Sequence, residues 1–317
     1  MSAVPTGRFA PSPTGDLHLG NLRTALLAWL WSRHDHGGFL VRMEDLDRVT
    51  SSREHEDRQL RDLAAIGLDW DAPPVRQSER FDLYADALAD LSARQLVYRC
   101  YCSRREIAEA ASAPHGRPGR YPGTCRNLSA RERTNRERSG RPAALRLRAD
   151  ATSVSVDDLI LGHVCDVADD VVLCRNDGVP AYQLAVVVDD ASQGVEVVVR
   201  GDDLAPSTPA QVILQRLLGL PTPAYAHVPL VVSERGTRLA KRDGAVTLAD
   251  RVRAGDTPLD VVTWLLRSSG QPTPATDDRT VSLNDLINDA AGVFDHSAIP
   301  RIPIVLTDGE LGRPLPR

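Results

Sequence analysis

Arg8-Phe9-Ala10-Pro11-Ser12-Pro13-Thr14-Gly15-Asp16-Leu17-His18-Leu19-Gly20-Asn21 is the stretch from which the fold can be read. Its two prolines and its glycine between 11 and 15 exclude a regular element there. Arg8-Phe9-Ala10 ahead of them reads as a strand. Behind them, Leu22, Ala25, Leu26, Trp29 and Leu30 fall on one helical stripe. Gly37-Gly38 ends that helix, and residues 39–43 resume as a strand. Strand, turn, helix and strand make a βαβ unit. The expected class is therefore α/β, a Rossmann-like doubly wound parallel sheet.

Working outward, residues 98–150 turn rich in Arg, Gly, Pro and Cys, as an insertion between two halves of the sheet would. The β-branched runs 171–174, 184–188 and 195–199 read as strands of the second half, and 211–218 as a helix. Residues 248–268 and 283–294 read as helices, and the chain from Pro300 as an extended tail. The expected divisions are 1–97 and 151–245 for the two halves of the catalytic sheet, 98–150 for the insertion, and 246–317 for a helical subdomain.

At 317 residues the chain has room for two domains. Its 42% apolar and 26% charged residues are ordinary for a soluble protein, and a net charge of −5 argues against indiscriminate coating of nucleic acid. Ten arginines against two acids between Arg117 and Arg148 suit either a solvated helix or a phosphate backbone. The first residues carry no basic-then-apolar signal pattern, and the apolar run 25–31 is too short to span a bilayer. Five cysteines, three of them clustered, suit a reducing cytoplasm and a metal site. Cys165 and Cys174 lie in apolar stretches and read as core residues. Nothing bears on assembly, and a monomer is the default expectation.

Three constellations carry chemistry. His18 and Asn21 open the first helix three residues apart, where unpaired N–H groups favour phosphate, and Gly20 between them would let a ligand approach the backbone. Lys241 is the only lysine among 38 basic residues, in the run Arg238-Leu239-Ala240-Lys241-Arg242 after the turn Glu234-Arg235-Gly236. A solitary flexible ammonium suits a phosphate in a transition state. Cys100, Cys102 and Cys125 have spacing that suits tetrahedral zinc, with His115 the fourth ligand that zinc chemistry alone would choose. No G-x-S-x-G elbow, Walker A loop or G-x-G-x-x-G turn is present.

The run from Arg8 to Asn21, continued by Leu22-Arg23-Thr24-Ala25-Leu26, resembles the HIGH motif region of class I aminoacyl-tRNA synthetases, in its glutamyl form. Arg42-Met43-Glu44-Asp45-Leu46-Asp47, the stretch 175–190 and Val199-Arg200-Gly201-Asp202-Asp203-Leu204 extend the resemblance. Arg238 to Arg242 occupies the place of the KMSKS loop, with Arg238 for the first lysine and Ala240 for the serine. The resemblance covers about the first 250 residues. The roughly 70 residues after the loop are too few for a helical anticodon-binding region. Together with the cysteine set and the phrase at 187–195, this resembles the glutamyl-Q tRNA(Asp) synthetase family.

That resemblance implies an amino-acid site at Arg8, Phe9, Ala10, Pro11, Ser12, Glu44, Tyr182 and Arg200. Two arginines and one acid there would balance the charges of glutamate. It implies that His18, Gly20, Asn21 and Lys241 meet ATP with Mg2+. It also makes Tyr121, rather than His115, the fourth ligand of a structural Zn2+. The implied reaction is tRNA-independent formation of glutamyl-adenylate, followed by transfer to the queuosine base at the wobble position of tRNA(Asp). A conventional glutamyl-tRNA synthetase and a catalytically silent tRNA-binding paralogue are the alternatives.

Overall fold

The computed structural model describes residues 5–111, 120–234, 236, 246–273 and 281–307. The first half runs β1 (Thr6–Phe9), α1 (Leu19–His34), β2 (Phe39–Met43), α2 (Arg53–Ala65), β3 (Val75–Arg76) and α3 (Phe81–Ala93). The middle comprises β4 (Val97–Cys100), α4 (Arg104–Ala111), α5 (Ala130–Arg138), β5 (Ala144–Leu147), β6 (Ser153–Asp158), β7 (Gly162–Val167) and β8 (Val172–Cys174). Then come α6 (Tyr182–Ser192), β9 (Val195–Gly201), α7 (Thr208–Leu218), β10 (Ala224–Val228) and β11 (Val231–Ser233). Helices α8 (Leu248–Ala254), α9 (Pro258–Ser268) and α10 (Leu283–Gly292) precede β12 (Ile304–Leu306).

The expected sheet is present. Strands pair in the order β10-β9-β1-β2-β3, all parallel. Sequence order therefore reverses between β1 and β9, which creates the crevice where such sheets bind ligands. A Cβ on Gly7 would collide with Ser32 Oγ, so a side chain there would push the serine out of its bond to the Ala28 carbonyl where β1 packs on α1. Helix α1 is buried along most of its length, and its Arg23 donates to the Pro229 and Ser268 carbonyls, tying it to the end of β10 and to α9. No helix among the described residues is long and apolar enough to cross a membrane.

Between the halves, β4, β5 and β8 form an antiparallel sheet, and β6 pairs with β7 as a hairpin. The partner of β5 thus lies beyond residue 150, at Val172–Cys174.

Five sequence readings change. Residues 171–174 contain a strand, β8, but of the antiparallel sheet with β4 and β5 and not of the parallel one. Residues 184–188 belong to α6, not to a strand. Leu184 to Asp190 are all buried, so a helix enclosed on every side shows no stripe and its β-branched run mimics a core strand. Residues 248–268 are two helices, because Gly255 takes φ 96° and Thr257 begins a new capping box with Asp260. The expected tail contains β12, which pairs in parallel with β11. Cys165 is exposed and Cys174 half-buried, so neither is a core residue. Cys165 sits at an outward position of the β6–β7 hairpin, where alternation turns it to solvent.

Candidate active site

Each of the four parallel strands β2, β1, β9 and β10 carries an ionisable residue next to its C-terminal end: Arg42, Arg8, Arg200 and His227. Burying such groups is costly unless each is paired: Arg8, Arg42 and His227 meet carboxylates, whereas Arg200 is hydrogen-bonded to the neutral His227, Tyr182 and Thr208. Arg8 donates through Nε to Asp190 Oδ1 at 3.1 Å. Arg42, fully buried, donates to the same oxygen at 2.8 Å, to Gln193 Oε1 at 2.9 Å and to Glu44 Oε1 at 3.4 Å. Burial works against its charge, but Asp190, Glu44 and Asp189 outweigh this and hold Arg42 above the usual guanidinium range. Asp189 lies 3.7 Å from Arg42 Nε and accepts from Arg80 at 2.7 Å, Gln77 at 2.9 Å and the Tyr84 hydroxyl at 2.8 Å.

Four of the side chains that the resemblance nominates for an amino-acid site, Arg8, Glu44, Tyr182 and Arg200, are brought together, with Tyr182 the first residue of α6. Glu44, Arg200, Arg8 and Asp190 all lie near enough to act electrostatically on its phenol. Arg200 Nη1 donates to the Tyr182 hydroxyl at 3.5 Å. Burial raises the Glu44 pKa, against the pull of Arg42 and Arg8. The turn joins in through its backbone: the Glu44 N–H donates to the Pro11 carbonyl at 2.9 Å, and Gln59 donates to the Ser12 and Gly15 carbonyls. Phe9 and Pro11 are buried, Ala10 is half-buried and Ser12 is exposed.

His18 and Asn21 form a capping box at the start of α1. His18 Nδ1 accepts the Asn21 N–H at 3.2 Å, and Asn21 Oδ1 accepts the His18 N–H at 3.3 Å. Accepting through Nδ1 places the ring proton of the neutral imidazole on Nε2. A Cβ on Gly20 would meet the His18 ring at 3.0 Å and Val231 Cβ at 3.3 Å. The glycine therefore makes room for the imidazole itself, a tighter demand than ligand access. Lys241 and the rest of Arg238 to Arg242 lie outside the described residues. The chain before them ends near this helix start, through Val231, and the chain after them returns to it, where Val246 accepts the Leu19 N–H at 2.9 Å.

The cysteine constellation also assembles. The sulfurs of Cys100, Cys102 and Cys125 lie within 4.8 Å of one another. The Tyr121 hydroxyl is 3.3 Å from Cys100 Sγ and 3.8 Å from Cys102 Sγ, and Cys102 and Cys125 are 3.5 Å apart. With Zn–S bonds of about 2.3 Å, tetrahedral vertices lie about 3.8 Å apart, so the donor set fits zinc. Burial and the neighbouring sulfurs push Cys102 up to about 12, a repulsion that a dication would reverse. Arg146 lies over the Tyr121 ring, 3.9 Å from its centre. His115 is outside the described residues.

Asp158 and His227 escaped the sequence reading, and Asp190 and Thr208, which lie in stretches that carry the resemblance (175–190 and Ser207-Thr208-Pro209), were given no role there. Two carboxylates, Asp189-Asp190, closing an otherwise apolar run were the available signal for Asp190.

A family model described as tRNA synthetases class I (E and Q), catalytic domain, matches residues 4–290. The chain belongs to this family. A glutamyl-Q tRNA(Asp) synthetase of Nocardia farcinica is 57% identical over 97% of this chain and 95% of its own length. Another protein of that name, from Symbiobacterium thermophilum, is 46% identical over 94% of each chain. Among solved structures, a glutamate-tRNA synthetase from Elizabethkingia anophelis matches with a TM-score of 0.79 and 26% identity, covering 98% of this chain and 69% of that one. The class I synthetase frame accounts for the placement of Arg8, Arg200 and the α1 start at the same end of the sheet.

Proposed function

We propose that this chain activates glutamate with ATP, without tRNA, and transfers it to the queuosine base at the wobble position of tRNA(Asp). The observation that carries the first half is the hydrogen-bonded set at the sheet crevice, in which Arg200 reaches the Tyr182 hydroxyl while Asp190 ties Arg8 to Arg42 and Arg42 reaches Glu44. Arg8, Arg42, Arg80 and Arg200 face Glu44, Asp189 and Asp190, which leaves one positive charge. Glutamate carries one net negative charge. Because Asp190 already engages Arg8, Arg200 is the leading partner for a substrate carboxylate and Glu44 for the ammonium.

The glutamate α-carboxylate attacks the α-phosphorus of ATP, and pyrophosphate leaves with its Mg2+. The side chains position and neutralise. His18 Nε2–H would donate to the phosphates and the α1 dipole would favour their charge, the Leu19 and Asn21 N–H groups being taken by Val246 and His18, and Lys241 neutralises charge on the leaving group. A queuosine hydroxyl then attacks the adenylate carbonyl and AMP departs. Cys100, Cys102, Cys125 and Tyr121 would hold a structural Zn2+, which supplies a rigid cross-link within the insertion. The working compartment is the cytoplasm and the working form a monomer.

The acceptor rests on the named relatives, which match this chain almost end to end. A conventional glutamyl-tRNA synthetase is the second reading, favoured by the fold match to the E. anophelis enzyme. Incubation with ATP, radiolabelled glutamate and queuosine-containing tRNA(Asp), followed by mapping of the labelled nucleotide, separates them. Label at the wobble base supports the proposal, and label at the 3′ end supports the rival. Glutamate-dependent ATP–pyrophosphate exchange would exclude a silent paralogue.

A further inference from the structure

Behind Arg200 lies a buried chain of polar groups that the substrate itself does not require. His227 is the register partner of Arg200 across β9 and β10. Its Nε2 accepts the Arg200 Nε–H at 3.0 Å, and its Nδ1 faces Asp158 Oδ2 at 2.6 Å. The side chains of Asp158 and His227 are each only 2% exposed. Asp158 is held in turn by the backbone N–H groups of Ile160 and Leu161, at 2.9 and 2.8 Å. Arg200 Nη2 donates to Thr208 Oγ1 at 2.9 Å. The Tyr225 ring lies 5.2 Å from the guanidinium and stacks on His227, centroids 5.9 Å apart at 7°.

The hydrogen bonds admit one protonation pattern. An imidazole that accepts from Arg200 at Nε2 must carry its proton on Nδ1, and that proton goes to the Asp158 carboxylate. A protonated His227 would set N–H against N–H beside a permanent cation. Burial and the adjacent Arg200 charge keep the ring neutral, against the pull of Asp158. His227 and Thr208 together occupy the Nε–Nη2 edge of the guanidinium. The Nη1–Nη2 edge, on the Tyr182 side, is left to grip a carboxylate with two parallel bonds.

We propose that Asp158, His227 and Thr208 are positioning residues that fix the rotation of Arg200, so that its Nη1–Nη2 edge meets a substrate carboxylate. This rests on the reading of Arg200 as a glutamate ligand. An Arg free to turn about its last bonds would present either edge and would bind the carboxylate more weakly, because ordering it would cost entropy on each binding event. The fixed tautomer of His227 makes the device sensitive to an isosteric change. Asp158→Asn keeps the shape but can donate to Nδ1, which moves the ring proton to Nε2, against Arg200.

The test is tRNA-free ATP–pyrophosphate exchange, with KM for glutamate, KM for ATP and kcat measured for wild type, Asp158→Asn, Thr208→Val, His227→Gln, His227→Leu and Arg200→Ala. Expected is a rise in glutamate KM on the order of ten-fold for Asp158→Asn and His227→Leu, the size of effect that an unpaired buried donor produces. His227→Gln, which still offers an acceptor, should recover part of it, and KM for ATP should stay within about two-fold throughout. If Arg200→Ala raises glutamate KM while Asp158→Asn and Thr208→Val leave it unchanged, the positioning role is wrong. If Arg200→Ala itself leaves glutamate KM unchanged, the ligand reading beneath it is wrong instead. Should His227→Leu fail to fold, the near-isosteric Asp158→Asn and Thr208→Val carry the decision.

Discussion

Arg8 and Asp190, 182 positions apart in sequence, meet at 3.1 Å where β1 and α6 face one another, and Arg42 closes on the same carboxylate at 2.8 Å. Asp190 therefore organises two of the arginines at the proposed glutamate site. Removing it would leave two buried guanidiniums short of a counter-charge, so Asp190→Asn is expected to destabilise the fold by about 3 kcal/mol or more. Denaturant unfolding of the variant beside wild type measures this, and an unchanged midpoint and slope would contradict it.

Glu44 gives a pH signature. Burial holds its pKa above the ordinary carboxylate range, despite Arg42 and Arg8. An ammonium is gripped only by the ionised form. As pH falls through the raised pKa, Glu44 takes a proton and kcat/KM for glutamate declines, on an acid limb above that of a normal carboxylate. Glu44→Gln should lose the limb and lower kcat/KM at every pH. A limb that persists in Glu44→Gln belongs to another group.

His18 has two duties that substitution can separate. His18→Ser keeps an N-cap acceptor for α1 and removes the ring, so stability should hold within about 1 kcal/mol. Adenylate formation should fall about 10²-fold or more if the ring meets phosphate. Thermal melting and pyrophosphate exchange on the same preparation report the two effects. Equal losses in both would reduce His18 to a cap.

The lone lysine permits a chemical test. An amine-directed acylating reagent has Lys241 and the chain terminus as targets. Modification at Lys241 should abolish exchange, and ATP should protect it. Lys241→Ala should cost about 3 kcal/mol of transition-state stabilisation, roughly 10²-fold in rate. Retained exchange after complete acylation would remove Lys241 from the chemistry.

Metal analysis addresses the insertion. Purified without chelator, the protein should carry about one zinc per chain, and Cys125→Ser or Cys102→Ser should lose it. Tyr121→Phe should weaken retention against a competing chelator. The principal clusters around α1 and α6 do not include the cysteine cluster, so the parallel sheet should keep its melting transition after zinc removal. A single shared transition lost with the metal would show otherwise.

The start of the chain was legible because Pro11, Pro13 and Gly15 punctuate it and Gly37-Gly38 closes an apolar run long enough for a helix, although α1 is buried at every position from 25 to 32 rather than along the one stripe expected. The cysteine set was legible because its spacing is chemical rather than conformational. The Leu184 to Val188 segment misled, since enclosure by neighbours erases the difference between strand and helix patterns. The Asp158–His227 pair was invisible for a separate reason, and of Asp190 the sequence showed only a carboxylate ending an apolar run, not the arginines it serves. They serve partners brought near only by the sheet topology, and no local spacing records that.

One ladder joins the two ends of the molecule's chemistry. Cys100 pairs with Ala144, the neighbouring Leu145 pairs with Cys174, and the Leu173 carbonyl accepts the N–H of Ala181, one residue before Tyr182. The residues proposed to hold zinc and the tyrosine at the centre of the proposed amino-acid site are thus joined across three strands by main-chain hydrogen bonds, a link that side-chain substitution leaves in place.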